Sequence, residues 1–143
     1  MRMTCYLVVA ALLLIAAEAP DDDVKKEQAK LRGTWTPVVQ EANGERKEGD
    51  KLKIHEWVFE DDKVTIKEAA KSREHSFKVD PIKAPKTIDL FDRQGDATGH
   101  GIYKLDGDML TIAIAKPSSD RPTEFTTKKD SPHVVIVLKR EKH

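Results

Sequence analysis

After Trp35, no stretch between one apolar segment and the next is long enough to hold a crossover helix. Parallel neighbouring strands need such a crossover, so the chain is restricted to an antiparallel sheet. From Thr34 onward, period-two runs begin every eight to twelve residues, with turn signals between them. The first run, Thr34 to Glu41, ends at Asn43-Gly44. The second, Ile54 to Phe59, places His55, Trp57 and Phe59 on one face, and Glu60-Asp61-Asp62 leads into Val64 to Lys67. Arg73 to Val79 aligns His75, Phe77 and Val79. It stops at Asp80-Pro81, where proline removes a donor and restricts its predecessor. Lys86 to Phe91 pairs Ile88 with Leu90. Gly101 to Leu105 and Met109 to Ala115 flank Asp106-Gly107, a dipeptide suited to a two-residue hairpin turn. Lys116 to Pro122 reads as a loop, Glu124 to Thr127 as the start of another pairing, and Val134 to Arg140 as the last strand. The expected class is therefore all-β, with about eight antiparallel strands in an up-and-down meander. Closing the sheet into a barrel removes its edges, whereas a sandwich leaves edges that only scattered lysines would protect.

The residues ahead of this pattern divide in two. Arg2, the apolar run Tyr6 to Ala17 and the small residues up to Ala19 have the layout of a secretory signal peptide, so residues 1–19 are expected to be a leader and 20–143 the barrel domain. The run of 12 apolar residues is short of the ~20 that cross a bilayer, so no stable membrane span is expected after cleavage. The expected location is outside the cytoplasm, periplasmic or extracellular. Cys5, the only cysteine, falls inside the leader, which leaves the domain without disulfides. From Asp21 to Arg32, the spacing of Val24, Gln28 and Leu31 predicts one short helix. An Asp is expected at its N-cap and Gly33 at its C-terminal end, and the helix would act as a plug or a lid. The 25 basic and 25 acidic residues balance and form no basic stripe, which argues against nucleic acid as a partner.

Gly33-Thr34-Trp35 stands at the start of the first strand and Arg140 near the end of the last. Glycine permits a tight turn there, and the Trp35 ring can plug one end of the enclosed space. An indole under an arginine from the final strand resembles the way lipocalin-like barrels are closed, which makes Gly33, Trp35 and Arg140 the expected closure residues. The segments Leu31 to Trp35, Pro85 to Leu90, Gly101 to Asp108, Arg121 to Phe125 and Val137 to Arg140 together resemble a small lipocalin-like domain family expanded in planctomycetes. The resemblance covers almost the whole mature chain and implies the fold. It implies no activity, ligand or cofactor, because that family has none established and a fold does not carry a function with it.

Trp57, Phe59, Phe77, Ile88, Leu90 and Tyr103 are expected to line the barrel, with Arg121 at its mouth as a group that could capture an anionic head or cap backbone carbonyls. His55 and His75 share faces with inward residues and could bind a metal or haem. However, a strand intervenes, which separates their backbones by roughly 10 Å, and no third ligand has suitable spacing. Asp89, Asp92, Asp96, Asp106 and Asp108 fit turn chemistry and lack calcium-loop spacing. Ser118, Ser131 and His100 assemble no nucleophile and base, and there is no Gly-x-Ser-x-Gly elbow. The expected function is an exported, non-enzymatic barrel that binds a small apolar or amphipathic ligand inside. The alternative is a packed barrel that engages another envelope protein. An interior apolar cavity of about 300 Å³ or more would favour the first and a dense core the second.

Overall fold

A computed structural model describes residues 19–142, so the expected leader lies outside the described residues apart from Ala19. One helix, α1 (Asp21–Leu31), precedes nine strands: β1 (Gly33–Ala42), β2 (Glu45–Glu48), β3 (Ile54–Glu60), β4 (Lys63–Glu68), β5 (Ser72–Asp80), β6 (Lys86–Phe91), β7 (Ala97–Asp106), β8 (Met109–Ala115) and β9 (His133–Arg140). Every pairing is antiparallel, and β3 to β9 follow one another in spatial order. The sheet closes where β9 returns to β1, paired from Trp35↔Arg140 to Ala42↔Val134 with a bulge between Pro37 and Val39. The result is an eight-stranded, up-and-down, lipocalin-like barrel with β2 as an appendage.

The meander and the Asp106-Gly107 hairpin are as expected. Two elements differ. Glu45–Glu48 is a strand on the upper part of β1, although all four of its residues are charged and exposed. Because it is short and charged, this edge resists further pairing. Glu124 to Thr127 is not a strand. It belongs to the long β8–β9 connection, which folds over the outer wall, where Phe125 packs on a second apolar cluster of Ile102, Ala113 and Val135.

The helix also differs at its ends. Its cap is Pro20, whose carbonyl accepts from the Asp23 and Val24 amides, and no side chain caps it. Asp21, Asp22 and Asp23 fill the first turn, where acidic charge suits the macrodipole. The helix stops at Leu31, Arg32 is extended, and Gly33 takes a φ of +128°, which favours glycine. α1 lies across the end of the barrel at which β1 starts and β9 finishes. Leu31 is wholly buried in the main core and Val24 half-buried against it.

Candidate functional site

The six residues expected to line the interior all point into one core, with exposures of 2% for Trp57, 1% for Phe59, Phe77, Ile88 and Tyr103, and 5% for Leu90. A chamber wide enough for water would leave accessible surface on its walls, and these side chains have almost none. Phe59 packs edge-on against Phe77 with ring centroids 5.2 Å apart, and Trp57 lies 6.1 Å from Phe59. Val64, Leu110, Ile112, Ile136 and Leu138 fill the remainder. A barrel of this strand number can be filled by its own side chains, and this one is. Trp57 Nε1 finds no hydrogen-bond partner among the described residues, a polar group buried at a cost of about 1–3 kcal/mol.

The closure residues come together as expected. The Arg140 guanidinium carbon lies 4.2 Å from the centre of the Trp35 ring. Arg140 Nη1 donates to the Arg32 carbonyl at 2.7 Å and Nη2 to the Lys30 carbonyl at 2.6 Å, while Trp35 Nε1 donates to the Leu31 carbonyl at 2.8 Å. Three carbonyls at the end of α1, which the helix itself cannot satisfy, are thus held by the two closure side chains. A Cβ on Gly33 would come within 3.2 Å of Arg140 Nη1, so glycine is needed there for space as well as for φ.

Sequence reasoning missed Glu27. It is 3% exposed beneath α1, where its carboxylate accepts from Lys86 Nζ at 2.7 Å, from the Tyr103 hydroxyl at 2.9 Å and from Lys30 Nζ at 3.4 Å. Burial pushes its pKa up, but the hydrogen bonds from Lys86 and Tyr103 and the charges of Lys86 and Lys30 outweigh this and hold it below the ordinary value. Burial, and then the Glu27 charge, push the Tyr103 hydroxyl well above its usual range, so it stays a donor. A clue was present in the sequence: Glu27 falls between Val24 and Leu31 on the apolar stripe.

Arg121 lines an open cleft of about 610 Å³ that it shares with Asp21, Val24 and Gln28 of α1 and with Asp89, and its guanidinium is taken up by the wall. Nη1 donates to the Gly101 carbonyl at 2.8 Å and the Ile88 carbonyl at 3.4 Å, and Nη2 pairs with Asp89 at 2.8 Å. His100 to the Ser119 carbonyl, His133 to the Thr126 carbonyl, and Thr127 to Glu41 pin the same connection along its length. Arg121→Ala is expected to lower stability by about 1–2 kcal/mol and to speed protease cleavage between Lys116 and Pro132. An unchanged urea midpoint combined with a loss of small-anion binding would instead assign Arg121 to ligand capture.

The histidine pair is not assembled. A bulge between Ile54 and Glu56 turns Ile54 to the core and leaves His55 exposed, which breaks the alternation the sequence suggests. His75 is half-buried. Burial, and then Arg73, lower its pKa, so it is a neutral imidazole near pH 7. Among the described residues, no three His, Cys, Asp or Glu side chains form a metal site, and no helix is long and apolar enough to cross a membrane. The geometry defines a small, solid, helix-plugged β-barrel. No family model, curated protein or solved structure matches this chain.

Proposed function

We propose that this chain is an exported, non-enzymatic barrel that works through its outer surface, as an interaction module for another protein of the cell envelope. The observation that carries this reading is the filled interior. Trp57, Phe59, Phe77, Ile88, Leu90 and Tyr103 bury one another instead of surrounding a space for a ligand. The polar contacts support it as well, since Arg121, His100 and His133 are engaged in holding the wall together. The N-terminal layout of residues 1–19 supports export. The resemblance to the planctomycete-expanded lipocalin-like family is part of the same proposal and brings no activity or cofactor with it.

Native mass spectrometry on protein recovered from its own envelope tests the reading. The expected mass is that of a chain beginning between Ala17 and Pro20, with nothing small attached. A small molecule retained under native conditions and lost on denaturation would restore the interior-ligand reading.

A further inference from the structure

The plugged end combines three features that a permanent closure does not need. A charged residue, Glu27, occupies the centre of the buried helix face. Replacing such a buried ionic cluster by apolar groups of similar volume is often neutral or stabilising, so this plug is not built for maximum adhesion. The first turn of the helix has no side-chain cap, and space flanks the helix on both sides. An open cleft of about 610 Å³ is lined by Asp21, Val24 and Gln28 of α1 together with Lys78, Asp80 and Arg121. Another of about 260 Å³ lies on the other side, lined by Asp23, Lys26 and Glu27 of α1 and by Pro81, Ile82 and Lys86. The N-terminal half of α1 is therefore bordered by clefts and meets the barrel chiefly through Val24 and Glu27. Its C-terminal end, by contrast, is tied by Arg140 and Trp35, next to Gly33 at its left-handed φ.

We infer that α1 is a hinged plug: its first two turns swing away about Leu31–Gly33 while the strands stay closed, and the contacts of Glu27 with Lys86 and Tyr103 are the latch that sets how often this happens. An isolated helix of 11 residues is marginal in water, so release and fraying go together. What opening uncovers is Tyr103, which Glu27 contacts, and the part of the core on which Val24 packs.

The groups that face the latch are Asp23, Lys26 and Lys30 on the helix itself, Asp80 on β5, Lys86 on β6 and Tyr103 on β7. Of these, Glu27 is the one held below its ordinary value of 4.5. A depressed carboxylate contributes stability above that value and loses it as pH falls through the folded pKa, so the latch weakens in acid and is unchanged between neutrality and about pH 5.

Hydrogen exchange read by mass spectrometry tests the proposal on the whole purified chain. Near pH 7, amides of Val24–Leu31 are expected to exchange at least about 100-fold faster than those of Val135–Leu138, relative to their intrinsic rates. Glu27→Gln should speed the helix a further tenfold or so, with the β9 amides unchanged. Lys86→Met, which keeps the methylene packing, should act in the same direction and provides the test if the first variant does not fold. Helix and strand amides exchanging at one common rate would overturn the hinge, because the plug would then open only with global unfolding. Either variant accelerating both regions by the same factor would overturn the latch.

Discussion

Trp35→Ala is expected to destabilise the barrel by about 3–5 kcal/mol, the range for removing a fully buried large ring. The urea midpoint falls accordingly, with the slope little changed. The ring is 0% exposed, lies beneath Arg140 and holds the Leu31 carbonyl, so its loss leaves a cavity and releases the end of α1 in one step. Arg140→Ala is expected to cost less, about 2 kcal/mol, because its guanidinium is partly solvated and its stacking contributes roughly 0.5–2 kcal/mol. The two changes should not add. Arg140 binds the carbonyls of Lys30 and Arg32 on either side of the Leu31 carbonyl that Trp35 binds, so a double-mutant cycle should return a coupling of about 1–2 kcal/mol. If Trp35→Ala costs under about 1 kcal/mol, or the cycle shows strict additivity, then closure does not depend on this pair and the seam between β1 and β9 holds by its backbone ladder alone.

That pair could be read in the sequence because each partner has a distinctive place: one of two tryptophans, two residues after a glycine, and an arginine at the end of an apolar strand. The meander was legible for a similar reason, since period-two alternation and short turns leave an antiparallel sheet as the economical solution. The misreadings have local physical causes. Glu45–Glu48 carries no apolar residue, because a four-residue edge strand with both faces in water needs none; its pairing with Val39–Ala42 comes from the hairpin at Asn43-Gly44. Strict alternation puts His55 inside, whereas a single bulge turns Ile54 to the core instead. Glu124 to Thr127 has strand-like composition, yet Phe125 is used to cover Ile102, Ala113 and Val135 outside the barrel. Glu27 was invisible because a glutamate on a short charged helix is ordinarily solvated, and its partners Lys86 and Tyr103 lie 59 and 76 residues further along the chain. Whether the interior is full or hollow could not be read from residue types, since the same aromatic and aliphatic side chains can line a space or fill it.

The second large effect is expected at Gly101, whose role has nothing to do with φ. A Cβ built on it would lie 2.1 Å from the Ala113 carbonyl oxygen and 3.0 Å from the Ala113 carbonyl carbon and the Ile114 Cα. The obstacle is the backbone of β8, the partner strand, which cannot rotate aside as a side chain can, so Gly101→Ala must push β7 and β8 apart. Glycine in a strand often marks such close approach of another backbone. Overpacking of this kind costs about 3 kcal/mol, at the upper end of its usual range. Gly99, two residues earlier on the same face, provides the control: its added Cβ would press on the Ile114 side chain, at 3.0 and 3.2 Å, which can turn, and would meet the Ala115 carbonyl oxygen at an ordinary contact distance of 3.5 Å. Gly99→Ala is therefore expected to cost about 1 kcal/mol or less. The Gly101 carbonyl also accepts from Arg121, so displacement of β7 should loosen the outer connection too, and protease cleavage between Lys116 and Pro132 should rise in Gly101→Ala but not in Gly99→Ala. Equal urea midpoints for the two variants would mean that the β7–β8 ladder can spread without loss, and that the close approach of these strands does not hold the wall in shape.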